Sequence, residues 1–406
     1  MSVFPAPPAV HVRAAVRTLP AYVPGARPDG DHVVKLSSNE LPYPPQEKVV
    51  QAAAAAAAQA NRYPEMTGQT LVDALAERHG VDSARIVVGG GSVALISHLV
   101  GTVCDEGDDV VMPWRSFEAY PICVTAAGAR PLCVPLTVDG RHDVPALLEA
   151  VTPRTRLLMA CTPNNPTGAA LSAVELQALL DGVPDDVAVL VDEAYLDFVT
   201  DPDVGDALEL IDEYPNLVVS RTFSKAHALA GLRVGYLVGE AVLMDAVRRV
   251  ATPFGVSLPA QAAALASLEA HVLEETASRA AQVASERDRV VAVLREQGWT
   301  VPDTQGNFYW LGVGGQAVAL ADHMEQAGVL VRPFIEEGVR VSVGLPEDND
   351  RALAALAAFP DRPCLPAPVP PAPASPTALP GDGDPNRDLC APTPADQADE
   401  TDTGVA

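Results

Sequence analysis

The chain has 406 residues, 48% of them hydrophobic, so it is long enough to bury a large core and to form one large and one smaller domain. Its 27 basic residues against 53 acidic residues give a formal charge of −26, which opposes nucleic acid or an anionic membrane surface as a partner. Six cysteines show neither a CxxC pair nor a cysteine–histidine ligand spacing, which predicts reduced thiols and no metal site.

The sequence carries little sign of a targeting or membrane-spanning segment. The first residues contain neither a basic segment nor an uninterrupted apolar one, so we expect no signal peptide. No charge-free apolar stretch approaches the roughly 18 residues of a membrane span. These features predict a cytoplasmic protein.

The elements predicted between residues 45 and 360 alternate between helices and short apolar runs. Residues 46–60 contain seven consecutive alanines and predict the first helix. Helical patterns follow at 174–180 and 240–250. The short runs are rich in β-branched residues and end in turn residues, as strands buried on both faces do; they are 85–89, 109–113, 156–161, 187–192, 216–220 and 234–239.

This alternation predicts an α/β fold with a large domain built on a mostly parallel sheet and a smaller C-terminal α/β domain. We expect an N-terminal arm and a segment packing on the small domain (1–44), the large domain (45–255) and the small domain (256–360). Residues 361–406 are rich in proline and then acidic, which predicts a disordered tail. The sequence does not reveal what the tail is for.

Chemically useful residues follow several of the predicted strands, where parallel sheets bind their ligands. A glycine turn at 88–92 precedes a helix and could hold a phosphate on Ser92 and on free backbone N–H groups. Residues 161–168 place two asparagines between prolines, and Asp192 ends an apolar run. Residues 221–225 bring two hydroxyls and a lysine close to Arg233.

Lysine is rare in this chain, which uses arginine for almost every positive charge. Its three lysines are Lys35, Lys48 and Lys225. Mutational bias alone can explain such a count, but only lysine can supply an amine for covalent chemistry, because a guanidinium does not lose its proton. Lys225 is the lysine whose neighbours in sequence favour such chemistry.

Together these residues predict a pyridoxal 5′-phosphate site. That cofactor needs an amine, a carboxylate at its ring nitrogen, hydrogen-bond partners at its phenolic oxygen, a phosphate cup and an aromatic ring. The residues that meet these needs are Lys225; Asp192; Tyr195 with Asn165; Ser92, Thr222, Ser224 and Arg233; and an aromatic residue from 114–117.

From about residue 22 to residue 359, the chain resembles the fold-type I, class II aminotransferases of the histidinol-phosphate and aromatic amino acid aminotransferase group. The resemblance rests on eight motifs in the same order. They begin at Leu36 (LSSNE), Arg62 (RYP), Gly89 (GGGS), Pro163 (PNNPTG), Asp192 (DEAY), Arg221 (RTFSK), Gly231 (GLRVG) and Arg340 (RVSVG).

The resemblance implies a role for each cofactor-binding residue. Lys225 would form the internal aldimine, Asp192 would pair with the ring nitrogen, and Tyr195 would complete the catalytic set. Asn165 would share the phenolate oxygen with Tyr195, and Phe117 would stack on the ring. The phosphate would be held by Ser92, Val93 (through its backbone), Thr222, Ser224 and Arg233.

The resemblance also implies how the substrate and a second subunit take part. Arg340 would clamp the α-carboxylate, and its position on a predicted strand favours that role independently, because a rigid strand can aim one arginine into a cleft. Asn39 and Tyr22 would also contact the substrate. Tyr63 would reach the cofactor phosphate of a neighbouring subunit, which implies a homodimer with shared active sites.

The implied reaction is a ping-pong transamination between an amino acid and a 2-oxo acid, with Lys225 as both tether and proton carrier. The glycine turn and residues 114–121 differ from the usual histidinol-phosphate pattern and are similar to actinobacterial aromatic aminotransferases. They favour an aromatic amino acid such as phenylalanine or tyrosine, with 2-oxoglutarate as acceptor. Histidinol phosphate remains an alternative donor.

A decarboxylase of the same fold is a further alternative, because a fold does not set a reaction. A non-enzymatic regulator would need a DNA-binding module, which neither end of the chain can supply. His227 stands where the family usually has Tyr or Phe, and we expect it in the core or beside the cofactor. Whether it affects catalysis is not evident from the sequence.

Overall fold

The computed structural model describes residues 10–17, 19 and 33–360. The predictions for Tyr22 and for the tail at 361–406 lie outside these residues. In the described residues, the strands are β1 (Val34–Lys35), β2 (Ile86–Gly89), β3 (Asp109–Trp114), β4 (Arg130–Pro135), β5 (Thr155–Cys161), β6 (Ala188–Asp192), β7 (Leu217–Thr222), β8 (Gly235–Val238), β9 (Phe308–Leu311), β10 (Val329–Leu330), β11 (Arg332–Phe334) and β12 (Gly338–Ser342).

Helices alternate with these strands through most of the chain. The α-helices of the described residues are α1 (Ala14–Arg17), α2 (Glu47–Ala57), α3 (Gln69–His79), α4 (Ser92–Val103), α5 (Ala119–Ala127), α6 (Val144–Glu149), α7 (Ala173–Gly182), α8 (Ala241–Val250), α9 (Leu258–Ala266), α10 (Ala270–Glu296), α11 (Ala317–Gln326) and α12 (Pro346–Ala358). The alanine-rich helix and the helices predicted at 174–180 and 240–250 are confirmed as α2, α7 and α8.

The largest sheet has seven strands in the order β2-β8-β7-β6-β5-β3-β4. Strand β8 is antiparallel to both of its neighbours, and every other pair is parallel. All six predicted strands lie in this sheet, and most of their residues are buried because helices cover both faces. One face packs against α3, α7 and α9 and the other against α4, α5 and α8. The predicted α/β fold with a mostly parallel sheet is confirmed.

Strand β4 is the member of this sheet that the sequence did not predict. It carries Pro131 and Pro135, and proline lacks the N–H group that a central strand must donate. Among the described residues, β4 lies at the edge of the sheet and pairs with β3, so its prolines remove few ladder hydrogen bonds.

A smaller antiparallel sheet has the order β11-β12-β9. Helices α10, α11 and α12 pack against it through a separate apolar cluster. Strand β1 pairs with β10, so the chain near residue 34 joins this part of the molecule. The domain boundaries at 44, 255 and 360 stay a prediction.

Two further sequence expectations concern cysteines and membranes. Cys104, Cys123 and Cys161 are free cysteines. Within the described ranges, none of the helices combines the length and apolar composition needed to cross a bilayer.

Candidate active site

The candidate site lies at one edge of the large sheet. Strands β2 and β7 run in the same direction because both are antiparallel to β8, and β7 is parallel to β6. Asp192 ends β6, Thr222 ends β7 and Gly89 ends β2 just before the glycine turn. The three predicted groups therefore reach the same edge, as the carboxyl ends of parallel strands do.

Lys225 lies three residues beyond β7 and is half-buried. Its Nζ donates to the backbone carbonyl oxygens of Asn39 at 3.2 Å and Ser38 at 3.4 Å, and lies 5.4 Å from the centre of the Tyr195 ring. Burial and the nearby Arg340 guanidinium lower the pKa of the amine from 10.5 to about 7. Much of the amine is therefore neutral and nucleophilic near neutral pH.

Asp192 is a buried carboxylate, only 2% exposed. Its Oδ2 accepts a hydrogen bond of 2.9 Å from the hydroxyl of Tyr120, whereas its Oδ1 has no hydrogen-bond partner among the described residues. Burial raises the pKa of this carboxyl to about 6, and the Tyr120 hydrogen bond opposes the rise. Above that pH the carboxyl group is deprotonated, and Oδ1 is a charged acceptor that can receive a hydrogen bond.

A chain of hydrogen bonds joins the predicted substrate and phenolate residues. Asn39 Nδ2 donates to the Tyr195 hydroxyl at 3.1 Å, and the Ser342 hydroxyl donates to Asn39 Oδ1 at 3.0 Å. Burial raises the pKa of Tyr195, so its hydroxyl stays protonated and can donate to a ligand oxygen.

Arg340 extends from the small sheet and is held by residues of other segments. From β12 its Nη1 donates to Asn165 Oδ1 at 2.5 Å, and its Nη2 donates to the Ser37 carbonyl oxygen at 2.8 Å. Its guanidinium lies 5.7 Å from the ring centre of Phe308 and 5.8 Å from that of Phe334. Two aromatic rings and two hydrogen bonds thus fix its orientation.

The predicted phosphate residues also meet. Arg233 Nη1 donates to the Ser224 hydroxyl at 3.2 Å, and a Cβ added to Gly91 would lie 2.5 Å from Arg233 Nη2. Gly91 has a φ of 88° and precedes α4, so a side chain there would be strained and would also displace the arginine. Gly235, paired with Thr222, lies beside the backbone nitrogen of Ser92. The first N–H groups of α4, which include that of Val93, thus lie next to the end of β7.

Three other predicted residues, Phe117, Tyr63 and His227, pack against aromatic neighbours. Phe117 is half-buried before α5, with its ring edge-to-face with Tyr120 at 5.5 Å. Tyr63 is 81% exposed and packs on Phe254, with ring centres 4.8 Å apart. His227 packs on Phe223 at 4.8 Å, and burial lowers the pKa of its imidazole.

Sequence reasoning missed Tyr120 and two ion pairs around the 114–120 segment. Tyr120 lies three residues after Phe117, a spacing that places side chains on one face of a helix and could have suggested their contact. Arg332 Nη2 donates to both carboxylate oxygens of Glu118 at 3.0 Å, and Arg115 binds Glu337. These partners are distant in sequence and carry no shared motif.

The available groups fit pyridoxal phosphate. The acceptor at Asp192 Oδ1 matches a protonated ring nitrogen, the Lys225 amine matches an aldehyde, and the glycine turn with Arg233 matches a phosphate. In the part of the chain that the structure describes, no three acidic, histidine or cysteine side chains are grouped as metal ligands.

Fold and site together define a pyridoxal-phosphate-dependent enzyme that acts on amino acids and 2-oxo acids. The family model described as "Aminotransferase class I and II" matches residues 31–356. The chain belongs to this family and is an aminotransferase.

Relatives of this chain carry more specific names. The "Aromatic amino acid aminotransferase" of Streptomyces coelicolor is 49% identical over 341 residues, which cover 84% of this chain and 94% of the relative. That of Thermobifida fusca is 48% identical over 355 residues, covering 87% and 98%. A solved histidinol-phosphate aminotransferase from Sinorhizobium meliloti, in complex with pyridoxal-5′-phosphate, is 28% identical with a TM-score of 0.74, covering 80% of this chain and 90% of that one.

Proposed function

We propose that this aminotransferase transfers the amino group of an aromatic L-amino acid, such as phenylalanine or tyrosine, to 2-oxoglutarate. The observation that carries the proposal is the identity of 48–49% to relatives named aromatic amino acid aminotransferases, along 94–98% of their length. The matches span 84–87% of this chain, so the proposal does not rest on a shared domain alone.

In this proposal Lys225 carries the cofactor and moves the proton. Bound pyridoxal phosphate supplies an electron-accepting ring that stabilises negative charge at the substrate Cα. With substrate bound, the Lys225 Nζ would accept the Cα proton and then donate a proton elsewhere in the site, and a pKa of about 7 suits both steps. The carbonyls of Ser38 and Asn39 orient this amine by accepting its hydrogen bonds.

Asp192 and Tyr195 hold the two ends of the ring system in this proposal. Asp192 Oδ1 would accept a hydrogen bond from the ring nitrogen and keep it protonated, while Tyr120 holds the other carboxylate oxygen in place. The Tyr195 hydroxyl and the Asn165 amide would hydrogen-bond the phenolic oxygen. The N–H groups of Ser92 and Val93, with Thr222, Ser224 and Arg233, would hold the phosphate. Phe117 would cover the ring face.

Arg340 binds the substrate carboxylate in this proposal. A guanidinium presents two parallel N–H groups that match the two oxygens of a carboxylate. Arg340 is only 7% exposed, so little water screens its guanidinium and an ion pair with a carboxylate is stronger. Asn39 is hydrogen-bonded to Tyr195 and Ser342, and we propose that it and Tyr22 complete the substrate site.

Histidinol phosphate is a second candidate donor, because a solved structure at 28% identity bears that name. Single-turnover mixing of the loaded enzyme with phenylalanine or with histidinol phosphate distinguishes the two. We expect phenylalanine to convert the bound cofactor to its amine form at least about tenfold faster. Equal or faster conversion by histidinol phosphate would contradict the aromatic assignment, and carbon dioxide release without conversion would contradict transamination.

We further propose that the protein is a cytoplasmic homodimer, in which Tyr63 of each subunit reaches the cofactor phosphate of the other subunit. Tyr63 is 81% exposed on this protomer, so its hydroxyl can reach a second chain. Mixing inactive Lys225→Arg chains with Tyr63→Phe chains, at a cofactor concentration that leaves Tyr63→Phe largely unloaded, tests the sharing. If Tyr63 acts across the interface, each mixed dimer has one intact site and activity rises. If mixing restores no activity although mixed dimers form, Tyr63 acts within its own subunit.

A further inference from the structure

The backbone carbonyl oxygen of Asn39 is the nearer of the two oxygens that accept a hydrogen bond from the Lys225 amine. It accepts a second hydrogen bond from the side-chain Nδ2 of Asn307, and each donor nitrogen lies 3.2 Å from the oxygen. The two nitrogens therefore lie within two hydrogen-bond lengths of one another. Asn307 directly precedes β9 of the small sheet, whereas Lys225 follows β7 of the large sheet.

The side chain of Asn307 is buried, and the residue is 0% exposed. Its Nδ2 donates to Asn39, but its Oδ1 has no hydrogen-bond partner among the described residues. A buried polar atom without a partner costs stability, so an apolar side chain of similar size would suit this place better if its purpose were packing. The hydrogen bond to Asn39 is what the amide supplies and an apolar residue would not.

The backbone of Asn39 has a conformation that needs support. Its φ of 52° lies in the left-handed region, which asparagine adopts more readily than most residues. The Ser342 hydroxyl accepts a hydrogen bond of 2.7 Å from the Asn39 backbone N–H, and the Tyr195 hydroxyl accepts one of 3.1 Å from Asn39 Nδ2. These bonds hold the residue by its N–H group and its side chain, whereas Asn307 holds the carbonyl oxygen itself.

We propose that Asn307 is a positioning residue for the proton-carrying amine of Lys225. Asn307 holds the Asn39 carbonyl oxygen where the amine can donate to it. The partly positive N–H group of Asn307 shares that oxygen and lies close to the amine, which disfavours the charged ammonium form of Lys225. The proposal rests on the proposed role of Lys225 as the amine that carries the cofactor.

Other charged groups also act on the protonation of Lys225. Those that disfavour the ammonium form are Arg340 and Arg233, and those that favour it are Glu40 and Asp192. A substitution of Asn307 leaves all four groups in place. A change in the pH dependence of the amine therefore reports on the hydrogen bond that Asn307 makes.

Asn307→Leu keeps the approximate shape of the side chain and removes its N–H group. The measurement is the rate of covalent attachment of pyridoxal phosphate to the full-length chain as a function of pH, with borohydride trapping. The wild-type midpoint should lie near the amine pKa of about 7. We expect the midpoint of the variant to rise by at least about 0.5 pH unit, which is roughly a threefold change in the acid constant of the amine.

Asn307→Asp is a second variant, which keeps the test decisive if Asn307→Leu fails to fold. Its carboxylate places a negative charge close to the amine, so the midpoint should again rise. Asn349→Leu is the matched control. Asn349 is 1% exposed, and its Nδ2 donates to the Gly344 carbonyl oxygen at 2.9 Å and to Glu286 at 3.0 Å. Its midpoint should stay at the wild-type value.

A rise of less than about 0.5 pH unit in a folded Asn307 variant, or an equal rise in Asn349→Leu, overturns the proposal. Trapped cofactor on another residue of the wild-type chain would contradict the role of Lys225 itself. Wild-type enzyme that traps cofactor on Lys225 but does not transaminate phenylalanine would contradict the proposed function alone.

Discussion

Replacing Lys225 by arginine is the most direct test of the site. The substitution keeps a positive charge and a long side chain, so changes in folding should be small compared with changes in chemistry. A guanidinium does not lose its proton near neutral pH and cannot form the covalent bond to an aldehyde that an amine forms. We therefore expect covalent cofactor attachment to be lost and turnover to fall by at least about 10⁴-fold.

The lowered pKa of Lys225 determines the pH range in which the wild-type amine can attach the cofactor. Its pKa is about 7 instead of 10.5, which raises the neutral fraction of the amine near pH 7 by roughly three orders of magnitude. The amine is charged below its pKa, so attachment in the wild-type enzyme should slow as the pH falls through about 7. Attachment that first appears near pH 10.5 would mean that the lowered pKa is wrong.

The assay is borohydride trapping of the attached cofactor, followed by peptide mass spectrometry and by turnover measurements. Lys48→Arg is the control, because Lys48 is a largely exposed residue whose ion pair with Glu269 spans 3.6 Å. It should label and turn over like the wild type. A Lys225→Arg enzyme that still carries trapped cofactor, or turns over within about tenfold of the wild type, refutes the reasoning.

Three other substitutions probe the remaining groups. Tyr120→Phe removes the hydrogen bond that lowers the pKa of Asp192, so the pKa of Asp192 should rise above about 6. The acid limb of the rate profile should then move to higher pH, and cofactor binding should weaken roughly tenfold. An acid limb that does not move would mean that Tyr120 does not control the protonation of Asp192. Arg340→Lys should raise the KM of amino and oxo acids roughly 10- to 100-fold and leave the cofactor affinity, measured by dialysis, unchanged. A loss of cofactor affinity instead would mean that Arg340 binds the cofactor and not the substrate carboxylate. Tyr63→Phe should leave the melting temperature unchanged and weaken cofactor binding in the dimer about tenfold, and equal cofactor affinity would remove Tyr63 from the site.

Sequence reasoning succeeded where the signal was local. The buried strands appeared as short β-branched runs, and helix α2 appeared as an alanine run. Lys225 and Asp192 were predicted because parallel strands deliver the residues that follow them to one end of a sheet, and Arg340 was predicted from its place on a strand. Their motifs also occur in order. Strand β4 was missed because Pro131 and Pro135 weaken its strand pattern, and they are accommodated at the edge of the sheet, where fewer N–H donors are needed.

Contacts between distant segments could not be predicted in the same way. Tyr120 is 72 residues from Asp192, and Arg332 is 214 residues from Glu118. Neither pair belongs to a common periodic pattern, so nothing local marks them as partners. Cross-strand register and helix packing, which depend on the whole fold, bring them within 3.0 Å.

The sequence by itself determined which chemical groups are present: one lysine with suitable neighbours, a carboxylate at a strand end, a glycine turn and an arginine on a strand. Only the tertiary structure decided their state. Burial gives Lys225 its pKa of about 7, and Tyr120 leaves one oxygen of Asp192 open, because desolvation and hydrogen bonding depend on atoms that the fold brings close. The ion pair between Arg332 and Glu118 likewise forms because the fold brings β11 against the segment before α5.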